Sequence, residues 1–253
     1  MSHHIVEAKN LEFSYPDDTH ALHGISFRIR HGESVAIVGA NGAGKSTLLL
    51  HLNGYLTPTS GQVRIGDFPL AKETLQEVRR TVGMVFQDPD DQLFMSTVYD
   101  DVAFGPLNLG LPMDEVHGRV LKALETVGVL ELKDRPSHRL SSGQKRRVAI
   151  ATVLSMSPDI LVMDEPSSGL DPRARRQLIE LLKSFQHSKI IATHDLDMVL
   201  DICERTIIIN AGKIEADGPT AEIFQNEKLL NDCHLEKPLR LQNCPICRTH
   251  RSS

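Results

Sequence analysis

Apolar and polar residues alternate at the start of the chain, through IVEAKNLEFSY (5–15) and again through ISFRIR (25–30). A period of two predicts half-exposed antiparallel strands. The pattern then changes. SVAIVG (34–39) is a short continuous apolar run, as expected of a strand covered on both faces. KSTLLLHLNG (45–54) predicts a helix that stops at Gly54, and TVGMVF (81–86) predicts another buried strand. From about 97 to 155 the chain reads as mainly helical. Val116, Val120, Ala123, Leu124 and Val127 recur there at helical spacing. DILVMD, RRQLIELLKSF, KIIATH, TIIINAG and a last helix near AEIF complete an alternation of strands and helices. That alternation predicts an α/β fold with a largely parallel sheet flanked by helices. No internal repeat and no long linker interrupts it. The periodicity fades after Asn231, which predicts an appended tail.

Composition narrows the class. With 253 residues, 40% of them hydrophobic and 24% charged, the chain suits one large globular domain or a domain with a subdomain. A net charge of −5 gives no basic footprint for nucleic acid. No apolar run reaches the ~20 residues that cross a bilayer. MSHHIVEAKN lacks the layout of a secretory signal. The expected location is therefore the cytosol, with any membrane link supplied by a partner. The cysteines are Cys203, Cys233, Cys244 and Cys247, and three of them crowd the end of the chain. In a reducing compartment that argues against a disulfide framework.

GANGAGKST (39–47) matches G-x-x-x-x-G-K-[ST], with a buried strand before it and a helix after it. Glycines let backbone amides converge on an anion, and the helix N-terminus adds unpaired N–H groups and a positive dipole end. Lys45 should reach the β- and γ-phosphates of a nucleotide, and the Ser46 hydroxyl should ligate Mg²⁺. The backbone of Gly39, Ala40, Asn41, Gly42, Ala43 and Gly44 would form the cradle, with Thr47 closing it. DILVMDEP (159–166) runs into Asp164 and Glu165 at a strand's C-terminal end, where open α/β sheets bind ligands. Asp164 would hold Mg²⁺ and Glu165 would polarise the attacking water. Taken alone, the same ending could be two solvated acids.

LSSGQKRRVAIATVLS (140–155) is a second anion-seeking helix start. Ser141 or Ser142 can cap it, Gly143 leaves its backbone open, and Lys145, Arg146 and Arg147 make the first turns positive. Standing alone, the segment would read as an ordinary capped helix with a solvated basic face. Two such helix starts in one chain suggest a triphosphate shared across a dimer. His194, in THD (193–195), ends a strand and faces the same crevice.

These residues together resemble the nucleotide-binding subunit of an ABC transporter, over about residues 5–227. The motifs occur in the family's order: Tyr15 in FSYPDD, the loop 39–47, Gln87, LSSGQ, the ILVMDE strand, SGLD (168–171) and His194. The resemblance implies a P-loop NTPase (RecA-like) core with an N-terminal antiparallel β subdomain and an inserted α-helical subdomain at about 88–155. The ATPase domain would span 1–230 and the tail 231–253. It implies ATP and Mg²⁺ as cofactors. Tyr15 would stack on adenine. Gln87 would touch Mg²⁺ and the attacking water, Glu165 would be the catalytic base, and His194 would contact the γ-phosphate. Ser141, Ser142, Gly143 and Gln144 would bind the ATP of a second subunit, identical or paralogous, and Asp171 would link the two sites. Ser142 stands where the commoner signature, LSGGQ, has glycine.

QDPDDQLF (87–94) followed by TVYDDVAFGPLNLGL (97–111) is similar to the energy-coupling-factor group and its cobalt and nickel uptake members. By that resemblance, Asp88–Asp91 and Leu93–Met95 form part of a dock for a transmembrane coupling subunit, which works beside a substrate-binding membrane subunit. The chain would then sit on the cytoplasmic face of the cell membrane and power import of cobalt or nickel ions. A vitamin importer and a soluble ABC-type ATPase acting on ribosomes or DNA are the alternatives, and no nucleic-acid partner is expected. In the tail, Cys233, Cys244, Cys247 and His250 form a candidate transition-metal set around one C-x₂-C pair.

Overall fold

The two-residue period of the opening segment becomes a sheet of its own. In a computed structural model, which describes residues 4–242, β1 (His4–Ser14) pairs antiparallel with β2 (His20–Arg30), so that Ala8 faces Phe27. The chain then crosses into a second sheet through β3 (Ser34–Val38) and the helix α1 (Lys45–Leu52). It returns for β4 (Ser60–Ile65) and β5 (Phe68–Pro69), which complete a four-stranded sheet in the order β2-β1-β4-β5. After α2 (Leu75–Thr81) comes β6 (Val82–Val85), and then three helices without a strand between them: α3 (Val98–Asn108), α4 (Met113–Thr126) and α5 (Ser142–Leu154). The remainder alternates: β7 (Ile160–Asp164), α6 (Pro172–Ser184), β8 (Ser188–Ala192), α7 (Leu196–Ile202), β9 (Arg205–Asn210) and β10 (Lys213–Pro219). Two short helices, α8 (Thr220–Ile223) and α9 (Glu227–Asp232), follow. The second sheet has the order β10-β9-β3-β8-β7-β6. Only β10 runs antiparallel to its neighbour.

Side-chain alternation along the parallel strands splits the interior in two. Val35, Ile37, Ile160, Val162, Ile190, Ile207 and Ile209 face α1 and the inner side of the first sheet, meeting Leu48, Leu49, Leu52, Ile25 and Phe27. Their neighbours Ala36, Val38, Leu161, Met163, Ile191 and Ile208 face the other way, toward α3, α4, α5, α6 and α7. A strand covered on both faces must be apolar throughout, which is why these segments read as continuous runs. Each such Leu or Ile contributes about 1.5–3 kcal/mol by leaving water.

Three helices had left no readable pattern: α2, α7 and α9, each seven residues or fewer. Two turns do not display a helical period. The packing also runs on beyond Asn231. Cys233 and Leu235 are buried in the core, and Arg240 forms a forked ion pair with Asp201 on α7 while the Leu239 and Arg240 amides donate to Asp197. The docking there is made by isolated residues rather than a repeating face, so no periodicity marks it.

Candidate functional site

The parallel sheet presents the ends of β3, β7 and β8 side by side, and the chemistry collects there. After β3 the chain turns through 39–44 into α1. Gly44, the N-cap, has φ +105°, and a Cβ there would meet the Ala21 carbonyl at 2.8 Å. Glycine is required on both counts. No side chain caps α1, so its first N–H groups remain open to an anion. Lys45 is nearly buried and arches over the loop, its Nζ donating to the carbonyls of Gly39 (2.9 Å) and Ala40 (3.1 Å). Gly39 lies against β9, where a Cβ would sit 2.2 Å from the Ile209 carbonyl.

At the end of β7, Asp164 is buried and accepts a hydrogen bond from Ser46, while its Oδ1 has no partner. Burial pushes its carboxyl above the usual range, and the Ser46 hydrogen bond only partly offsets this; Glu165 pushes it further up, while Lys45 and Arg146 pull it down. A buried carboxylate oxygen left unpaired is costly. Beside the Ser46 hydroxyl it is an oxygen-only set of the kind a hard divalent cation takes. The residues therefore fit Mg²⁺.

Glu165 adopts φ +44°, a left-handed backbone that a residue with a long side chain rarely holds and that costs on the order of 1–3 kcal/mol. Its carboxylate is fixed from one side: Oε2 accepts from the Thr193 hydroxyl (3.1 Å) and the His194 amide (3.3 Å), and lies 2.8 Å from His194 Nδ1. The imidazole is 65% exposed on the cleft wall. Asp195 caps α7 by accepting from the Met198 amide, and Arg175 grips the same carboxylate with two nitrogens, at 2.5 and 2.7 Å. Burial would raise the Asp195 carboxyl, but these bonds hold it below its ordinary value. Arg175 left no signal in the sequence beyond lying four residues after Asp171.

Tyr15, Asn41, Gly42, Gly44, Lys45, Ser46, Thr47, Gln87, Glu165 and His194 line one cleft of about 590 Å³, a size that holds a nucleotide. The Tyr15 hydroxyl meets Thr47 Oγ1 at 2.9 Å. Thr19, His20 and Ala21 line it too. They were not read from the sequence. They reach the cleft because the β1–β2 turn folds over the loop, pinned where the Gly212 amide meets the Ala43 carbonyl and the His23 amide meets the Gly212 carbonyl.

Ser141, Ser142, Gly143, Gln144 and Asp171 lie elsewhere. Ser141 rather than Ser142 is the N-cap of α5, and it exchanges bonds with Gln144 in a capping box: the Ser141 amide donates to Gln144 Oε1 and the Gln144 amide to Ser141 Oγ. Each side chain is thus engaged with the other residue's backbone amide. Ser142 is exposed, and a Cβ on Gly143 would approach Ala174 at 3.2 Å. Asp171 caps α6 by accepting from the Arg173 and Ala174 amides. This second cluster stands on the surface of the chain, outside the cleft.

Leu93 is a core residue rather than a surface one. Phe94 is 62% exposed and packs edge-on against Phe104 at 5.0 Å. Asp88 caps its own turn and Asp90 pairs with Lys145. Of the tail set, Cys233 is buried, and burial raises its thiol above the ordinary value, unfavourable for a thiolate ligand. Cys244, Cys247 and His250 lie outside the described residues.

A phosphate loop at the C-terminal end of the interior strand β3, with two acids at the end of β7 on the far side of β8, defines a P-loop nucleoside triphosphatase. The chain belongs to the ABC transporter family, whose family model matches residues 22–168, and it is an ATP-hydrolysing ATP-binding subunit. It is 70% identical to an ABC transporter ATP-binding protein of Geobacter sulfurreducens over 98% of this chain and 99% of that one. It is 48% identical to the energy-coupling factor transporter ATP-binding protein EcfA of Methanocaldococcus jannaschii, over 93% and 86%. Among solved structures it resembles cbiO1 of Clostridium perfringens, part of the ABC transporter complex cbiONQ, with TM-score 0.80 and 42% identity over 91% and 94% of the two chains. It also resembles the ATP-binding cassette MJ0796, a dimer in a post-hydrolysis state with ADP and Pi, with TM-score 0.78 and 28% identity over 85% and 98%. Among the described residues no helix is long and apolar enough to cross a membrane.

Proposed function

We propose that this subunit pairs with a second cassette, binds two ATP molecules between them, and drives uptake of cobalt or nickel ions through an energy-coupling-factor importer. One observation carries the paired arrangement. The cleft gathers Asn41, Gly42, Gly44, Lys45, Ser46, Thr47 and Glu165, while the α5 start, with Ser142 exposed, stands outside it, ready for a nucleotide held by another copy. The cargo rests on likeness to cbiO1 and EcfA.

In this reading Lys45 leaves the Gly39 and Ala40 carbonyls to meet the β- and γ-phosphates, and Tyr15 stacks on the base. Ser46, Gln87 and Asp164 would hold Mg²⁺, which supplies charge neutralisation at the phosphates. Glu165 accepts the proton of the attacking water. The carboxylate needs no reorganisation to do so, because Thr193 and His194 already fix it. His194 turns its exposed side to the γ-phosphate. Asp171, at the mouth of α6, links the two sites. The partner's surface on this chain is the apolar group Phe94, Met95 and Phe104, all exposed. The chain would sit on the cytoplasmic face of the membrane, held by its transmembrane partners.

Glu165→Gln tests the chemistry: it should abolish turnover and accumulate an ATP-bound dimer. A variant that turns over normally removes Glu165 as the base. Phe94→Glu should prevent co-purification with the transmembrane subunits; normal yield removes the dock. Uptake of radioactive cobalt, nickel and vitamins by the reconstituted complex decides the cargo, and vitamin uptake alone would refute the metal assignment.

A further inference from the structure

A second hollow opens at the other end of the parallel strands. Its walls are α4, α5 and the turn between α6 and β8, and it holds about 360 Å³, at the small end of ligand cavities. Ser157 and Pro158 stand just before β7, and Gln186 and His187 just before β8. The nucleotide cleft takes Glu165 and His194 from just after those same strands. Five residues of strand, roughly 16 Å, therefore separate the two sites.

The floor of this hollow is apolar. Ala123, Ile150, Leu161 and Leu182 are buried in the fold yet line it, with Leu154 and Phe185 beside them. Apolar side chains facing a hollow gain when an apolar guest displaces the water there. The mouth is polar and of one sign. Arg119, Lys122 and His187 line it and no acidic side chain does, although the chain carries a net charge of −5. Arg119 is already committed: its Nε donates to Glu115 at 3.0 Å and its Nη1 to the Met156 carbonyl at 3.4 Å. Lys122 is exposed on α4 and makes no ion pair among the described residues. His187 adds a ring N–H whatever its charge, and its ring stands 5.3 Å from that of Phe185.

The walls are pinned from behind. Ser155 Oγ lies 2.9 Å from the carbonyls of both Val102 and Thr152. On the other side, buried Lys189 donates to the Phe185 carbonyl at 2.6 Å, and the Gly32 amide donates to Ser188 Oγ at 2.8 Å. The hollow is thus formed before any guest arrives, as ligand sites commonly are.

We propose that this hollow is a binding site for a small carboxylic acid with an unbranched apolar chain. The chain lies on Ile150, Leu154, Leu161 and Leu182, and the carboxylate meets Lys122 and His187. One uncommitted lysine matches a single negative charge, so a monocarboxylate suits the mouth better than a polyphosphate does. The acid leaves nucleotide binding alone, because the strands hold the two sites apart.

The test is calorimetric titration of the full chain with butanoate, hexanoate and octanoate, and with octanol and octylammonium as uncharged and cationic counterparts. Affinity should rise about threefold per added methylene. Octanol and octylammonium should bind at least about fivefold more weakly than octanoate, and MgATP should change the octanoate affinity by less than about twofold. Lys122→Glu should weaken octanoate about fivefold and leave octanol unchanged. Thr126→Trp, which fills the mouth from the exposed end of α4, should abolish binding of both. No binding of octanoate, equal binding of octylammonium, wild-type affinity in either variant, or displacement of octanoate by MgATP each overturns the proposal. Hydrogen exchange on the wild type keeps the test open if a variant does not fold. Octanoate should protect 119–126 and 184–187 together, and protection confined to other segments overturns the site.

Discussion

Two helix starts in this chain, α1 and α5, are built in opposite ways. α1 begins in a concave loop, has a glycine N-cap and no side-chain cap, and carries a nearly buried lysine over its mouth. α5 begins at the surface, is already capped by Ser141 and Gln144, and offers Ser142 and Gly143 to the outside. The first opens into a cleft lined by one chain. In the paired reading proposed above, the second presents a few donors on an open face and takes the rest of its site from another molecule. The difference lies in which polar groups are already used up. An uncapped N-terminus has all its first-turn amides to spend on phosphate, while a capped one has fewer.

Substitutions can break or sharpen that contrast. The largest expected effect is at the enclosed start: Lys45→Ala should lower turnover about 10²–10³-fold and weaken binding of labelled ATP in a single subunit. At the open start, Ser142→Asp should leave single-subunit ATP binding within about twofold but reduce pairing-dependent turnover roughly a hundredfold, because Ser142 is exposed and a carboxylate there would face the partner's phosphates in the paired reading. Nucleotide binding and turnover measured on the same preparations separate the two. Asp164→Asn should remove the Mg²⁺-dependent rise in Tm yet stabilise the nucleotide-free chain by about 1 kcal/mol, or ~2–4 °C. The sign follows from the raised Asp164 carboxyl. Folding favours its protonated form, so its penalty is complete at neutral pH and is relieved as pH falls through the raised value. That acid-side gain should vanish in the asparagine variant when Tm is followed against pH. The smallest effect is at the cap itself. Ser141→Ala should cost ~1 kcal/mol of stability and a few degrees of Tm by calorimetry, with ATP binding by the single subunit unchanged.

Local chemistry was legible wherever one short segment contains its own reason. The loop 39–47 needs glycine where the backbone turns left-handed, and a lysine to close over it, so residue types alone marked it. Asp164 and Glu165 were marked by ending an apolar run. The conformation of Glu165 was not, because its amide is held by the Ala192 carbonyl of β8 and its carboxylate by Thr193 and His194 just beyond that strand. Arg146 was read, with Lys145 and Arg147, as making the first turns of an anion-seeking helix positive. On a helix of 3.6 residues per turn, one residue of three successive ones can point inward, and only the Phe86 and Gln87 carbonyls say which. Leu93, Phe94 and Met95 looked like one apolar patch for the same reason, and the fold buried the first and exposed the second. Thr19, His20 and Ala21 carry no motif; a hairpin brings them to the cleft.

By itself the sequence marked the apolar strands of the parallel sheet, the longer helices and the phosphate-binding loop, and it singled out the acids and the histidine as candidates. Those depend on residue type, spacing and period, all local properties of the chain. Only the tertiary structure decided which of two interiors each strand residue entered, which of two anion-seeking helix starts was enclosed, and which of three neighbouring cations became a buried strut. Those outcomes depend on what lies opposite each side chain across distances of many tens of residues, and no local pattern encodes the partner.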